Sequence, residues 1–123
     1  MMATGGVSAC AGVALDALTA HAFSQRLAAH ELTTLSTAAR YLLIHGLLLV
    51  VLAKWHAERP DSRLIKAAAA LAAIGIVVFC GGLTASVLSG VHGFGAAAPM
   101  GGAAFMAAWL ACALYGLGRR ATA

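Results

Sequence analysis

Residues 38–55 read AARYLLIHGLLLVVLAKW, and this stretch decides the fold. It is almost entirely apolar and rich in helix formers, and a helix that crosses a bilayer needs about 20 such residues. Arg40 and His45 interrupt the apolar run. The stretch therefore predicts a membrane helix that carries polar groups within or at the edge of the hydrocarbon.

The rest of the chain repeats this pattern. Of its 123 residues, 62% are hydrophobic and 10% are charged, with a mean hydropathy of +0.90, which excludes an ordinary soluble domain. No segment has the polar and apolar alternation of a strand. We predict an all-α fold, an integral membrane four-helix bundle that forms one transmembrane domain over residues 1–123. The predicted helices cover residues of about 3–24, 37–56, 64–90 and 98–118.

The segment before the second predicted helix, residues 24–40, is more polar than the four apolar runs. Thr33 and Thr34 leave it without a strong apolar face. Two interpretations stay open: the segment lies along the membrane surface, or it extends the second helix outward.

Basic residues are concentrated on one side of the predicted membrane domain. The loop between helices two and three and the C-terminal tail contain Lys54, Arg59, Arg63, Lys66, Arg119 and Arg120. The loop after helix one has only Arg26, and the loop after helix three has no Lys or Arg. Since Lys and Arg favour cytoplasmic loops, we expect both termini to face the cytoplasm. The net charge of +4 then reflects topology and contact with membrane lipids, not binding to nucleic acid.

Small residues at four-residue spacing predict close helix packing. Gly81, Ala85 and Ser89 form such a row in the third helix, and Ala104 and Ala108 belong to another in the fourth. Gly101 and Gly102 are also expected to be packing positions of the fourth helix. These rows allow backbones to approach within one chain or between copies. We therefore expect either a homo-oligomer or a subunit of a larger membrane complex.

Five polar side chains lie in the same halves of the first two helices: Asp16, His21, Arg40, Tyr41 and His45. At the rise of an α-helix, Asp16 and His45 both lie about 7.5 Å below the membrane boundary. An unpaired charge in the hydrocarbon costs about 2.5 to 3.5 kcal/mol on insertion scales. We therefore predict that Asp16 pairs with Arg40 or His45 across the two helices.

This intramembrane polar cluster has three interpretations. It is a structural network that fixes the helix pair, or a proton or ion relay that uses the titration of His45 and Asp16. The third is a haem iron held by His21 and His45, against which their unequal depths argue. The three cysteines lie in different predicted helices without metal-ligand spacing, so we expect no metal and no cofactor.

Four motifs resemble the domain of unknown function 423 family of small membrane proteins. They are AHAF at 20–23, RYLLIHGL at 40–47, FCGGL at 79–83 and PMGGAAF at 99–105, which occur in the family's order and spacing. The resemblance covers nearly the whole chain. Matching positions are His21, Arg40, Tyr41, His45, Phe79, Gly81, Pro99, Gly101 and Gly102. Asp16, Thr19, Ile44, Gly82 and Thr84 depart from the pattern, so a shared role would have to operate without Asp16.

The resemblance implies a multi-pass protein of the bacterial inner membrane, but it supplies no activity. We expect a non-catalytic subunit or an assembly factor of a larger membrane complex, and not an enzyme. The short loops and the lack of a nucleophile with an activating base favour this interpretation. The alternative is a small proton-coupled transporter or channel that uses the Asp, Arg and His cluster.

Overall fold

The computed structural model describes residues 1–120, except for the side chains of His92, Arg119 and Arg120. Over these residues the fold is all-helical, without strands, as predicted. The elements are α1 (Met2–His21), α2 (Ala29–Glu58), α3 (Arg63–Gly75), a π-helical segment (Ile76–Gly81), α4 (Gly82–Ser89), a 3-10 segment (His92–Ala97) and α5 (Ala98–Arg120). Because α3, the π-helical segment and α4 are continuous, they form one composite helix, Arg63–Ser89.

Within residues 1–120, four helices are therefore long and apolar enough to cross a membrane: α1, α2, the composite helix and the helix that contains α5. This confirms the predicted number and class of elements. At most 44% of the most apolar stretch of each helix is buried within the chain. Most of the apolar surface therefore faces outward, as expected for a protein surrounded by lipid.

The second helix begins well before its predicted start at about residue 37. With 30 residues it is about 45 Å long, which exceeds the roughly 30 Å of the hydrocarbon core. At its start, the carboxylate of Glu31 accepts a hydrogen bond from the backbone N–H of Ala28 at 2.8 Å. Three threonine hydroxyls donate to carbonyls four residues earlier at 2.8 to 2.9 Å: Thr33, Thr34 and Thr37. Most of segment 24–40 is thus helical, and it extends the second helix.

Local chemistry explains where the composite helix begins and ends. Pro60 follows the end of α2, where its ring disfavours helical backbone in the preceding residue. The Ser62 hydroxyl then accepts a hydrogen bond from the backbone N–H of Ile65 at 3.4 Å and caps α3. At the other end, Gly90 has φ 69°, a left-handed conformation that glycine adopts without steric cost.

The four helices lie side by side in the order α1, α2, composite helix, α5. The α1 helix packs mainly on α2, and α5 packs mainly on the composite helix, which also contacts α2. In the first pair, a Cβ added to Gly46 would lie 2.6 Å from the backbone nitrogen of Ala9. A Cβ on Gly12 would lie 2.7 Å from the backbone nitrogen of Leu43. The α1 and α2 backbones therefore touch, and they do so through residues outside the predicted packing rows.

The main core lies toward the end of the molecule that holds residues 59–62, called the turn end below. It joins α2, α3 and α5 through buried side chains: Leu48, Leu49, Leu52, Ile65, Ala68, Ala69, Ala72, Ala108, Ala111 and Tyr115. The Trp55 and Tyr115 rings meet there with centroids 5.6 Å apart. Alanine is the commonest residue of this core, which allows the three helices to pack closely.

Candidate functional site

His45 is the buried polar side chain on which the candidate site centres. It is 3% exposed, and both ring nitrogens have partners. Its Nδ1 lies 2.9 Å from the backbone carbonyl oxygen of Tyr41, and its Nε2 lies 3.2 Å from the indole nitrogen of Trp109. A carbonyl only accepts and an indole N–H only donates. These partners assign a neutral imidazole with its proton on Nδ1.

Three aromatic rings contact this imidazole, and a fourth, Phe79, packs against two of them. The Phe105 ring stacks on it with centroids 3.5 Å apart and planes 16° apart. Tyr41 lies 5.7 Å from the imidazole and 4.8 Å from Phe79, measured between centroids. Trp109 meets the imidazole edge-on at 6.2 Å. Such contacts contribute about 0.5–1.5 kcal/mol each beyond the burial of area.

Two glycines make room for these rings. A Cβ on Gly75 in α3 would overlap the Phe105 ring, and a Cβ on Gly101 in α5 would lie 2.5 Å from the backbone nitrogen of Phe79. The missing side chains let α5 approach the composite helix closely enough to seat Phe105 over His45. The ring cluster thus depends on positions that carry no side chain.

The rings line a cleft of about 480 Å³ between α2 and α5. We call it the aromatic cleft; its walls include Tyr41, His45, Phe79, Gly102, Phe105 and Trp109. The α2 and α5 backbones stay apart and meet through side chains, with the composite helix behind them. Among the residues that the structure describes, no Asp, Glu, Lys or Arg lines it.

A second opening lies between α1 and the composite helix, with α2 as its floor. It has a volume of about 500 Å³, and we call it the apolar groove. Its walls include Leu15, Leu42, Ile76, Cys80 and Thr84, without any aromatic ring. Across residues 1–120, apart from the excluded side chains, no three His, Cys, Asp or Glu side chains group as metal ligands would.

The structure brings together two members of the predicted polar cluster, Tyr41 and His45. Asp16, His21 and Arg40 have exposed side chains. Within the described part of the chain, the Asp16 carboxylate has neither an ion pair nor a hydrogen bond. Arg40 lies beside a separate small cavity of about 320 Å³ that also includes Thr19 and Thr37.

The predicted pairing of Asp16 with Arg40 or His45 is therefore wrong, because these side chains do not point toward each other. The α1 helix faces α2 through a buried stripe of Gly5, Ser8, Gly12 and Thr19, and Asp16 lies beside that stripe. His45 instead packs against Phe105 and Trp109 of α5. Equal depth in two helices does not make two side chains point toward each other.

The residues of the predicted packing rows occupy different environments. In α5, Gly101 packs on Phe79, Gly102 borders the aromatic cleft, Ala104 is half-buried and Ala108 is fully buried. In the composite helix, Gly81 faces the apolar groove, with space around a hypothetical Cβ. Ala85 is half-buried, and the exposed Ser89 hydroxyl donates to the Ala85 carbonyl at 2.6 Å. Within one chain, Gly81, Ala85 and Ser89 therefore do not form a close contact with another helix.

Sequence reasoning did not identify Phe105 and Trp109 as partners of His45. A signal was available, because Tyr41 and His45 are four residues apart in α2, as are Phe105 and Trp109 in α5. Residues at this spacing lie on one face of a helix. Two such pairs on different helices indicate a shared ring cluster.

The comparisons with known proteins bear on the same residues. Residues 15–102 match the family described as "Protein of unknown function (DUF423)". The chain belongs to this family. The comparisons with curated proteins and with solved structures gave no match. The matched range contains Tyr41, His45 and Phe79 but ends before Phe105 and Trp109, so it covers one wall of the aromatic cleft and only part of the other.

Proposed function

We propose that this DUF423 protein is a non-catalytic accessory subunit or assembly factor of a larger membrane complex. The observation that supports this is the open row of helices. In a closed four-helix bundle each helix has two close neighbours, whereas α1 here packs mainly on α2, and the α5 backbone closely approaches only the composite helix and the adjoining 3-10 segment. Their uncovered faces are available to other membrane helices.

The outward face of α1 has the composition that helix association in lipid favours. Gly6, Cys10 and Ala14 are exposed at four-residue spacing, and small residues let another helix approach closely. Val7 and Val13 flank them, exposed by 70% and 57%. This face supports contact with a partner helix without help from a soluble domain.

We also propose a location in the bacterial inner membrane with both termini in the cytoplasm. Gly5 lies against α2 next to Val50, and Tyr115 contacts Trp55. The start of α1 and the last turns of α5 are therefore near the turn end, which carries Arg59 and Arg63. That shared side is consistent with the distribution of basic residues, whose partners there are anionic lipid head groups.

The alternative, a proton-coupled transporter, has less support. A relay needs neighbouring groups that exchange protons, but Asp16 and His45 lie on different helix faces. Both nitrogens of His45 are also engaged, and protonation at Nε2 would break its bond with Trp109. The arrangement of His45 favours a fixed structural role within a non-enzymatic protein.

The proposal is tested by native mass spectrometry of the tagged protein, extracted from its own membrane in a mild detergent. We expect complexes that contain a second polypeptide in a fixed ratio to the 12.3 kDa chain. Replacing Ala14 by Leu should remove that polypeptide without changing the melting temperature. Gly116→Leu in α5 is the matched control, because a Cβ there meets nothing within 4 Å and the position lies outside the small-residue face of α1. Only integer multiples of the chain mass would overturn the proposal.

A further inference from the structure

The aromatic cleft has the size and position of a binding site for a small molecule from the membrane. Its volume of about 480 Å³ falls within the roughly 300–1,000 Å³ of ligand pockets. It opens between α2 and α5, two helices that are apolar enough to cross a membrane. A ligand dissolved in the bilayer can therefore enter sideways without crossing the surface of the protein.

The lining selects an uncharged ligand. Among the described residues, no Asp, Glu, Lys or Arg lines the cleft, so an anionic head group would have no cationic partner and a cation would have only aromatic faces. Burying an unpaired charge in a low-dielectric site is strongly unfavourable. Charge complementarity therefore points to a neutral molecule.

The walls also select a flat ligand. Tyr41 and Trp109, whose side chains are 39% and 48% exposed, present ring surface to a molecule in the cleft. Aromatic faces interact best with other rings in offset stacks. The apolar groove is different, because its aliphatic walls of Leu15, Leu42 and Ile76 suit a flexible chain.

One hydrogen-bond donor in the cleft is available to a ligand. The N–H groups of His45 and Trp109 are already engaged. The Tyr41 side chain is 39% exposed, and its hydroxyl has no partner among the described residues. A ligand that carries a carbonyl oxygen on a flat ring would accept this hydrogen bond.

We propose that the aromatic cleft binds a quinone-type membrane lipid, a neutral planar ring with carbonyl oxygens on an apolar tail. The ring lies against the aromatic walls, the Tyr41 hydroxyl donates to a ring carbonyl, and the tail leaves between α2 and α5 into the bilayer. This inference goes beyond the proposed function, and either can fail without the other.

The test uses tryptophan fluorescence in detergent micelles, with 2,3-dimethoxy-5-methyl-6-decyl-1,4-benzoquinone as the probe. Trp55→Phe leaves Trp109 in the cleft as the only tryptophan, and Trp109→Phe leaves Trp55 at the turn end. A benzoquinone quenches a nearby indole. We expect saturable quenching of Trp109, and quenching of Trp55 that rises only linearly as the probe enters the micelle.

Two cleft-filling variants locate the site, both made in the Trp55→Phe background. A Cβ on Gly102 would lie 3.9 Å from the Phe79 ring, so Gly102→Leu fills the cleft without a backbone clash. Ala103→Leu, also in the lining, serves if the first variant is unstable. We expect each folded variant to weaken binding about tenfold or more, while the matched Gly116→Leu changes it less than about twofold. Tyr41→Phe should weaken binding about threefold to tenfold, the effect of one lost hydrogen bond.

Three results would overturn the inference. The first is linear quenching of both tryptophans, which means simple partitioning. The second is full displacement of the probe by n-decanol at an equal mole fraction, which means that the site recognises only the alkyl tail of the probe. The third is unchanged quenching in a cleft-filling variant that melts like the parent protein. A missing partner polypeptide in native mass spectrometry would count against the proposed function and leave this inference standing.

Discussion

Two helix contacts in this protein use glycine in different ways. Between α1 and α2, a side chain on Gly46 would meet backbone atoms, the nitrogen of Ala9 and the carbonyl oxygen of Gly5. Between α3 and α5, a side chain on Gly75 would meet the ring of Phe105. A ring can tilt away, whereas a helix backbone can move only if the whole helix moves. We therefore expect Gly46 and Gly75 to tolerate substitution to different extents.

The largest effect is expected from Gly46→Ala, which separates α1 from α2. Overpacking of this kind costs about 1–3 kcal/mol, and contact with backbone on two sides places Gly46 near the upper limit. Unfolding in bicelles, followed by steric trapping or by a denaturing detergent, measures the loss.

Gly6→Ala in α1 is the matched control. A Cβ there meets nothing within 4 Å, and alanine favours a helix over glycine by about 1 kcal/mol. We expect Gly6→Ala to be neutral or stabilising. If both substitutions destabilise the protein equally, the loss comes from replacing glycine in general. That result would contradict the backbone contact between α1 and α2.

The second prediction concerns the contact with a ring. Gly75→Ala should destabilise the protein by about 1–2 kcal/mol, because it forces Phe105 off its position over His45. Phe105→Leu removes the flat ring that fills the space beside Gly75. The double variant should therefore lose less stability than the sum of the two single losses, which a double-mutant cycle measures. Strict additivity would show that Gly75 and Phe105 do not share this contact.

The third prediction tests the hydrogen bond that joins the two walls of the aromatic cleft. Trp109→Phe keeps an aromatic ring but removes the donor to His45 Nε2, at an expected cost of about 1 kcal/mol. Nitrogen NMR of labelled histidine should show the proton on Nδ1 in the parent protein. In the variant we expect the Nε2 signal to move, because that nitrogen has lost its donor. Parent spectra with the proton on Nε2 would refute the assigned tautomer.

The smallest effect is expected from Asp16→Asn. Asp16 is exposed beside the α1 contact stripe and has no partner among the described residues. Asn therefore breaks no contact between helices, and the free energy of unfolding within the bicelle should fall by less than about 0.5 kcal/mol. Reconstituted vesicles should also show no change in proton flux. A loss of proton flux with unchanged stability would instead favour the transporter and count against an accessory role.

The helical class and the four spans could be predicted because they depend on composition and on the length of apolar runs. The start of α2 could not be placed from composition, because Thr33, Thr34 and Thr37 satisfy their hydroxyls within the helix. A polar sequence there is compatible with helix as well as with surface loop. Hydropathy does not separate these two cases.

The candidate site was only half predicted, for a related reason. Tyr41 and His45 stand out as polar groups in an apolar run, and they line the aromatic cleft. Their partners Phe105 and Trp109 read as ordinary apolar residues of a membrane helix. Asp16 stands out equally but faces elsewhere, because the direction of a side chain depends on how each helix is rotated in the row. From a single sequence, the depth of a residue in the membrane is easier to predict than the rotation of its helix about the helix axis.

The π-helical segment Ile76–Gly81 rotates the last part of the composite helix relative to its first part. Its wider turn contains one residue more than an α-helical turn, so every later position is shifted in phase by about 100° relative to α3. With this shift α3 faces α5, while α4 turns Gly82 toward the carbonyl oxygen of Phe94 in the 3-10 segment. Deleting one residue of the segment would leave a regular helix whose last two turns present the wrong side chains to their neighbours. One inserted residue thus allows a single membrane helix to present two different faces along its length.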